Sequence, residues 1–398
     1  MFKNISLIFI SAISIFLLVN CNDSPTDLGT KFLSQDGVEV LKLDSSIDSI
    51  QQSSYSFKKV YNLGGSSQLL LGKAENITSH VLLKFVFAIP DSIQEELALR
   101  NLTVIDSYVE MFRNYSFGDS NASYDYAAYK VNEKWSSSTF TADSFAFLDY
   151  DNTTDLSFNR GTANDTLYSF HLDTTLTSSW LQNYVDSTVA SNYGILLSPN
   201  TIVTNQKVLG FTAFNIDGDN DPRLRIVVQK PGAYVDTLIG FVSSDLSVVL
   251  GDIPNVGTEN IVIQSSLTSE AKLFFDFSVV PEDVVINLAT LTLTVDTLAT
   301  KTGSSFTNRL SVFLLDDSAS NKLNTNYLYT LNRSGTTFSG EITNIVRAWN
   351  NRVENQGILI KSTLEFWGLE IFAINGSNAP LIEQRPKLEI VYSKGKNN

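Results

Sequence analysis

The strongest constraint in this chain is a period of two. Runs such as Val81-Leu82-Leu83-Lys84-Phe85-Val86-Phe87 and Leu291-Thr292-Leu293-Thr294-Val295 alternate apolar, β-branched and aromatic residues with others, and Gly, Asn, Asp and Ser clusters separate them. Alternation of this kind predicts half-buried antiparallel strands. Long helical periodicity is nearly absent. At 398 residues, with 43% hydrophobic and 11% aromatic side chains, the chain has enough apolar surface to cover one sheet face with another. The predicted class is all-β, with antiparallel, jelly-roll-like β-sandwiches.

The pattern is written twice. Phe214-Asn215-Ile216-Asp217-Gly218 reappears as Phe372-Ala373-Ile374-Asn375-Gly376, and Pro222-Arg223-Leu224-Arg225-Ile226-Val227-Val228 as Pro386-Lys387-Leu388-Glu389-Ile390-Val391-Tyr392. Asn192-Tyr193-Gly194-Ile195-Leu196-Leu197 matches Asn355-Gln356-Gly357-Ile358-Leu359-Ile360, and Phe85-Val86-Phe87 with Pro90 matches Phe275-Asp276-Phe277 with Pro281. Four matches in one order mean a duplicated domain; a solenoid would repeat every 20–50 residues or so. Pro231-Gly232 reads as the junction, giving domains at 34–230 and 234–395 that are each expected to fold alone. Each copy holds one helical patch. Ile342, Ile345, Val346 and Trp349 have helical spacing with Thr343 as a cap, and Leu176, Trp180, Leu181 and Tyr184 are spaced similarly. Such a patch reads as a plug for the open end of a sandwich, with a tryptophan in the core; a ligand-binding tryptophan is the rarer reading.

Residues 1–20 carry Lys3 and then an apolar run from Ile5 to Val19, shorter than a spanning helix needs and suited to a secretory signal. The run ends in Leu18-Val19-Asn20-Cys21, and Cys21 is the only cysteine. This resembles a bacterial lipobox. The resemblance implies that the Cys21 thiol receives a diacylglycerol and becomes the mature N-terminus, with residues 21–33 as a lipidated tether. The implied location is the cell envelope, in the outer membrane or at the cell surface rather than in the inner membrane. An ordinary signal peptide with a chance cysteine is the alternative.

The order of the pieces resembles the DNRLRE-type β-sandwich modules of bacterial exported proteins, some of which are carbohydrate-binding modules. The opening strand is Leu82-Leu83-Lys84-Phe85-Val86-Phe87-Ala88-Ile89-Pro90, and again Leu273-Phe274-Phe275-Asp276-Phe277-Ser278 up to Pro281. Tyr129-Lys130-Val131 with Trp135, Asp173-Thr174 with Trp180, and Ile342-Thr343 with Trp349 follow the middle elements. Tyr193-Gly194 and Arg385-Pro386-Lys387-Leu388-Glu389-Ile390-Val391-Tyr392 follow the closing ones. Val86 stands where the family has an acidic residue. The resemblance implies two tandem sandwiches and a glycan ligand.

Direct signs of chemistry are few. Twenty-eight Lys and Arg against 42 Asp and Glu give a net charge of −14, which argues against nucleic acid as a partner. Two histidines and one cysteine exclude a Cys/His zinc cluster and a disulfide framework. His80 and His171 both lie in strand-like text, and no G-x-S-x-G elbow accompanies them. No cofactor is expected. Asp217, Asp219 and Asp221, alternating around Gly218, suit the hard-oxygen ligand set of Ca²⁺, or simply a solvated hairpin turn. Val228 occupies the position of an EF-hand's bidentate Glu. Tyr124 and Tyr126 fall on one strand face and can stack on a glycan, or form ordinary sheet surface. The expected function is a lipid-anchored, non-enzymatic envelope protein that binds extracellular glycan; the alternative is a structural or protein-interaction lipoprotein.

Overall fold

The computed structural model describes residues 38–48, 50–200, 206–214 and 218–395. It is nearly all-β, and every strand pairing is antiparallel. In the first module Gln68–Ala74, Ile77–Phe87, Tyr234–Gly251, Arg223–Lys230, Thr103–Gly118 and Lys207–Thr212 pair in that order. Lys207–Thr212 pairs back onto Gln68–Ala74 and closes the ring. Closure leaves the inward residues no exposed sheet face, so Phe85, Phe170, Phe211, Leu224 and Ile226 form one core.

The second module repeats the path around its own core, which includes Leu273, Leu291, Leu388 and Ile390. Asn192 and Asn355 show how closely it does so. Asn192 Nδ2 donates to Phe85 O and Asn355 Nδ2 to Phe275 O, at 2.9 and 2.8 Å. Each Asn Oδ1 accepts from the glycine two residues on, Gly194 or Gly357. Those glycines have φ +88° and +84°, and a Cβ on Gly194 would lie 2.1 Å from Leu83 O. The left-handed backbone and the close approach together require glycine.

The helices Thr174–Val185 and Thr343–Asn350 close the modules, with Trp180 and Trp349 buried in the two cores as expected of plugs. Asp173 caps the first by accepting from Leu176 N at 3.0 Å. Thr343 does not cap the second. It is already helical, and its hydroxyl accepts from Ala289 N and donates to Glu341, tying the helix to the sheet.

The expected junction at Pro231 is a hairpin turn. Lys230 pairs with Tyr234 across Pro231-Gly232-Ala233, and the strand then continues along Ile77–Phe87 as far as Gly251. The first module therefore extends past residue 230 to Gly251. In the second module the equivalent place is taken from the start of the chain: Val38–Asp44 pairs with Lys387–Gly395, and Gln52–Lys58 with Ser269–Phe275. Each copy's leading strand completes the other copy's module. The boundaries 34–230 and 234–395 thus cut through both. Loop closure explains the outcome, since a strand only a short turn away from its partner loses the least chain entropy on pairing.

A third apolar cluster joins the modules, with Leu63, Leu70, Tyr115 and Phe117 against Val262, Leu267, Leu369 and Ile371. Polar contacts cross it too. Tyr115 Oη donates to Glu370 Oε1 at 3.0 Å and accepts from Leu369 N, and Gln68 Oε1 accepts from Gly368 N at 2.9 Å. Burial pushes the Glu370 carboxyl up to about 7 despite these bonds. Burial, then the neighbouring Glu365 carboxyl, push Glu270 up as well, while Tyr61 Oη donates to it at 2.9 Å.

Two outcomes follow from this arrangement. Expressed alone, residues 60–251 hold every strand of the first ring and melt cooperatively by circular dichroism, whereas 38–230, missing Tyr234–Gly251, does not. The second concerns Glu370, which keeps its proton in the folded protein where the unfolded chain has released it. Stability from this group is lost as pH rises from about 5 to about 8. Glu370→Gln keeps the acceptor for Tyr115, so it stabilises by on the order of 2 kcal/mol at pH 8 and by little at pH 5. Denaturant melts at the two pH values check it.

Candidate functional site

The residues picked out by sequence are scattered. Tyr126 is 1% exposed and its ring meets Phe170 edge-on at 5.7 Å. Tyr124, half-buried, meets Tyr168 edge-on at 6.2 Å. The alternation is real, but the tyrosines take the core side of Tyr126–Lys130, and Tyr129, on the other side, packs on a second small cluster around Trp135 and Leu196. A strand covered on both faces has no outward tyrosines, which corrects their assignment as a glycan platform. Arg160 reinforces this: it sits 5.1 Å over the Tyr126 ring and pairs with Asp125 and Asp155.

Cys21, the tether and Asp217 lie outside the described residues. Asp219 is exposed and Asp221 half-buried in the turn that precedes Arg223–Lys230. Burial pushes nearby Asp245 up to about 6, with the Asp221 charge adding to it, while Phe214 N donates to Asp245 at 2.8 Å. Among the described residues no three His, Cys, Asp or Glu side chains are grouped to hold a metal ion, and no helix is long and apolar enough to cross a membrane. His80 is buried, 2.9 Å from Ser198 Oγ and against the Phe145 ring, and burial depresses it to about 4. It is a packing residue.

His171 is different. Strand registers place it in a row across the outer face of the first module: Ile239, Arg225, Tyr108, His171 and Phe158 lie opposite one another on five neighbouring strands. The Tyr108 and Phe158 rings flank the imidazole at 5.7 and 5.4 Å. Below them runs a second row of Phe241, Arg223, Glu110 and Ser169. His171 Nδ1 lies 2.8 Å from Asp106 Oδ1, and Arg225 Nε donates to Glu110 Oε2 at 2.7 Å. These partners hold the imidazole and the guanidinium in place on the sheet. Phe158, Phe241 and Leu167 are 45%, 47% and 58% exposed on or beside the rows. The result is an aromatic strip bordered by fixed charged groups and open to solvent.

The second module serves as an internal control. At the positions of Arg225, Tyr108 and His171 it has Glu389, Thr290 and Glu341, and at those of Arg223, Glu110 and Ser169 it has Lys387, Thr292 and Ser339. The same backbone is covered there by Thr, Ser, Lys and Glu. Folding does not call for rings and arginines on this face. Half of this contrast was visible in the matched closing strands, Arg-Leu-Arg against Lys-Leu-Glu; Tyr108, Phe158 and Asp106 had no such signal, because their rows exist only once registers are set.

No family model and no curated protein matches this chain. Among solved structures, the C-terminal domain of the AgI/II polypeptide BspA of Streptococcus agalactiae is similar over 83% of this chain and 91% of that one, at 8% identity and a TM-score of 0.19. So slight a likeness carries no argument about function.

Proposed function

We propose that this chain is a lipid-anchored, non-enzymatic protein of the bacterial cell envelope, and that its first module binds extracellular glycan on the face built by Tyr108, His171 and Phe158. The supporting observation is the contrast between the copies: rings and arginines are present on one outer face and absent from the equivalent one, where the fold is the same. Sugar rings present apolar C–H faces that pack on aromatic rings, and hydroxyls that bond to arginine and carboxylate. Few fixed polar groups among apolar ones are what a specific ligand site needs. Anchoring rests on Cys21 at the end of its apolar run. A protein-docking role is the second reading, favoured by the clustering of Tyr, Phe and Arg, types enriched at interface hot spots.

Affinity electrophoresis in envelope polysaccharides tests the glycan reading. Tyr108→Thr, the residue the second copy carries, and Phe158→Ala should each weaken retardation about tenfold while changing stability by no more than about 0.5 kcal/mol, as surface substitutions do. Unchanged retardation in both variants, or none in the wild type, leaves protein docking as the better account. Metabolic labelling with a fatty-acid analogue tests the anchor: the wild type labels, and Cys21→Ser does not.

A further inference from the structure

The strand that completes the second module comes from the far end of the chain. Its pairing runs from Val38 opposite Gly395 to Asp44 opposite Glu389, then from Gln52 opposite Phe275 to Lys58 opposite Ser269. The segment fills the module rather than lying on it. Leu43 and Ile50 are part of the second core, and Asp44 sits 3.1 Å from Lys387 Nζ. Burial works to raise the Asp44 carboxyl, but hydrogen bonds from Ser46 and the Lys387 ammonium outweigh it and hold it below the usual range. Ser45 Oγ accepts from Leu388 N at 2.9 Å, and Ser56 Oγ from Val262 N at 2.6 Å. Without this segment, the core would open and a row of backbone donors and acceptors on both flanking strands would lose their partners.

Chain connectivity reserves this place for the chain's own segment less tightly than it does in the first module. In the first module the equivalent strand is held by the turn at Pro231–Ala233. Here Ser45 and its partner Leu388 are 343 residues apart. Residues 59–67, which include Gly64-Gly65-Ser66-Ser67, join the donor segment to Gln68–Ala74 in the other module, with Leu63 packed in the cluster between the modules and Tyr61 Oη donating to Glu270 at 2.9 Å.

We infer that the second module is a strand acceptor, and that Val38–Lys58 of a second copy of this chain completes it in trans. Donor and acceptor are different parts of the same molecule. Exchange therefore links molecules either reciprocally, into closed two-fold dimers, or head to tail, onward into chains. The short tether holds the molecule's own strand at an effective concentration of about 1 mM, so exchange is a minor event in dilute solution and grows with concentration.

Single-cysteine variants in the Cys21→Ser background read the exchange directly. Val40 and Ser393 lie opposite each other, and Val40 is 61% exposed, so cysteines there disturb little. The double variant Val40→Cys/Ser393→Cys should close a disulfide within one chain, seen as faster migration on a non-reducing gel. Equal amounts of Val40→Cys and Ser393→Cys, unfolded and refolded together, should give a covalent dimer. Its share should be roughly a few per cent at about 0.1 mM total chain, rising in proportion to concentration. Failure of the double variant to cross-link means the strand does not occupy the acceptor, and the inference falls. Monomer alone at every concentration in the mixture overturns it as well. So does an equally strong dimer from Val40→Cys mixed with Leu167→Cys, a control on the first module's surface, since random collision then explains the band.

Discussion

The pairing of Arg223–Lys230 with Tyr234–Gly251 across Pro231-Gly232-Ala233 places the leading strand of the second copy in the first module. A turn that short makes this pairing cheaper in chain entropy than pairing with a distant segment. The leading strand of the first copy then finds its usual place filled. It lies instead beside Lys387–Gly395 and Ser269–Phe275, where the second module would otherwise be open. Two duplicated sandwiches become one interlocked molecule through a single local preference.

Interlocking brings the modules together, and two acids are buried in the interlocked molecule. Glu270 and Glu370 are almost fully enclosed, and each accepts a hydrogen bond from a tyrosine, Tyr61 or Tyr115. Tyr115 belongs to the first ring and Glu370 to the second module, so this bond is also a link between them. Burial disfavours a carboxylate's charge, which is why both groups rise in pKa. The apolar contacts of Tyr115, Leu70, Leu369 and Ile371 supply the attraction, and Glu370, which burial raises to about 7, is bonded beside them.

Duplication frees one copy's surface to change. The inward positions of the two modules carry comparable residues, Leu224 and Ile226 in one and Leu388 and Ile390 in the other, because a closed ring accepts little else. Outward positions on the same strands have no such restriction. Arg223 and Arg225 stand where the second copy has Lys387 and Glu389, and across the sheet Tyr108 stands where it has Thr290. A difference at positions that packing leaves open is where recognition is expected to lie.

By itself the sequence determined the strand class, the duplication, the helix plugs with Trp180 and Trp349, and the glycines at 194 and 357, because each follows from local periodicity or from matched text. It also showed that Tyr124 and Tyr126 share a face, but not which side that face takes, since a strand covered on both sides hides its direction. The aromatic strip was legible only in fragments: Arg223 and Arg225 stood out against their counterparts, while Tyr108, His171 and Phe158 are far apart in the chain and become neighbours through register alone. Strand exchange was not legible at all. Val38–Lys58 and Tyr234–Gly251 fit equivalent places in two similar modules, and alternation cannot say which module takes which strand. The tertiary structure decides it, because the cost of closing a loop depends on how far apart along the chain two strands lie, and the pattern within each strand carries no record of that distance.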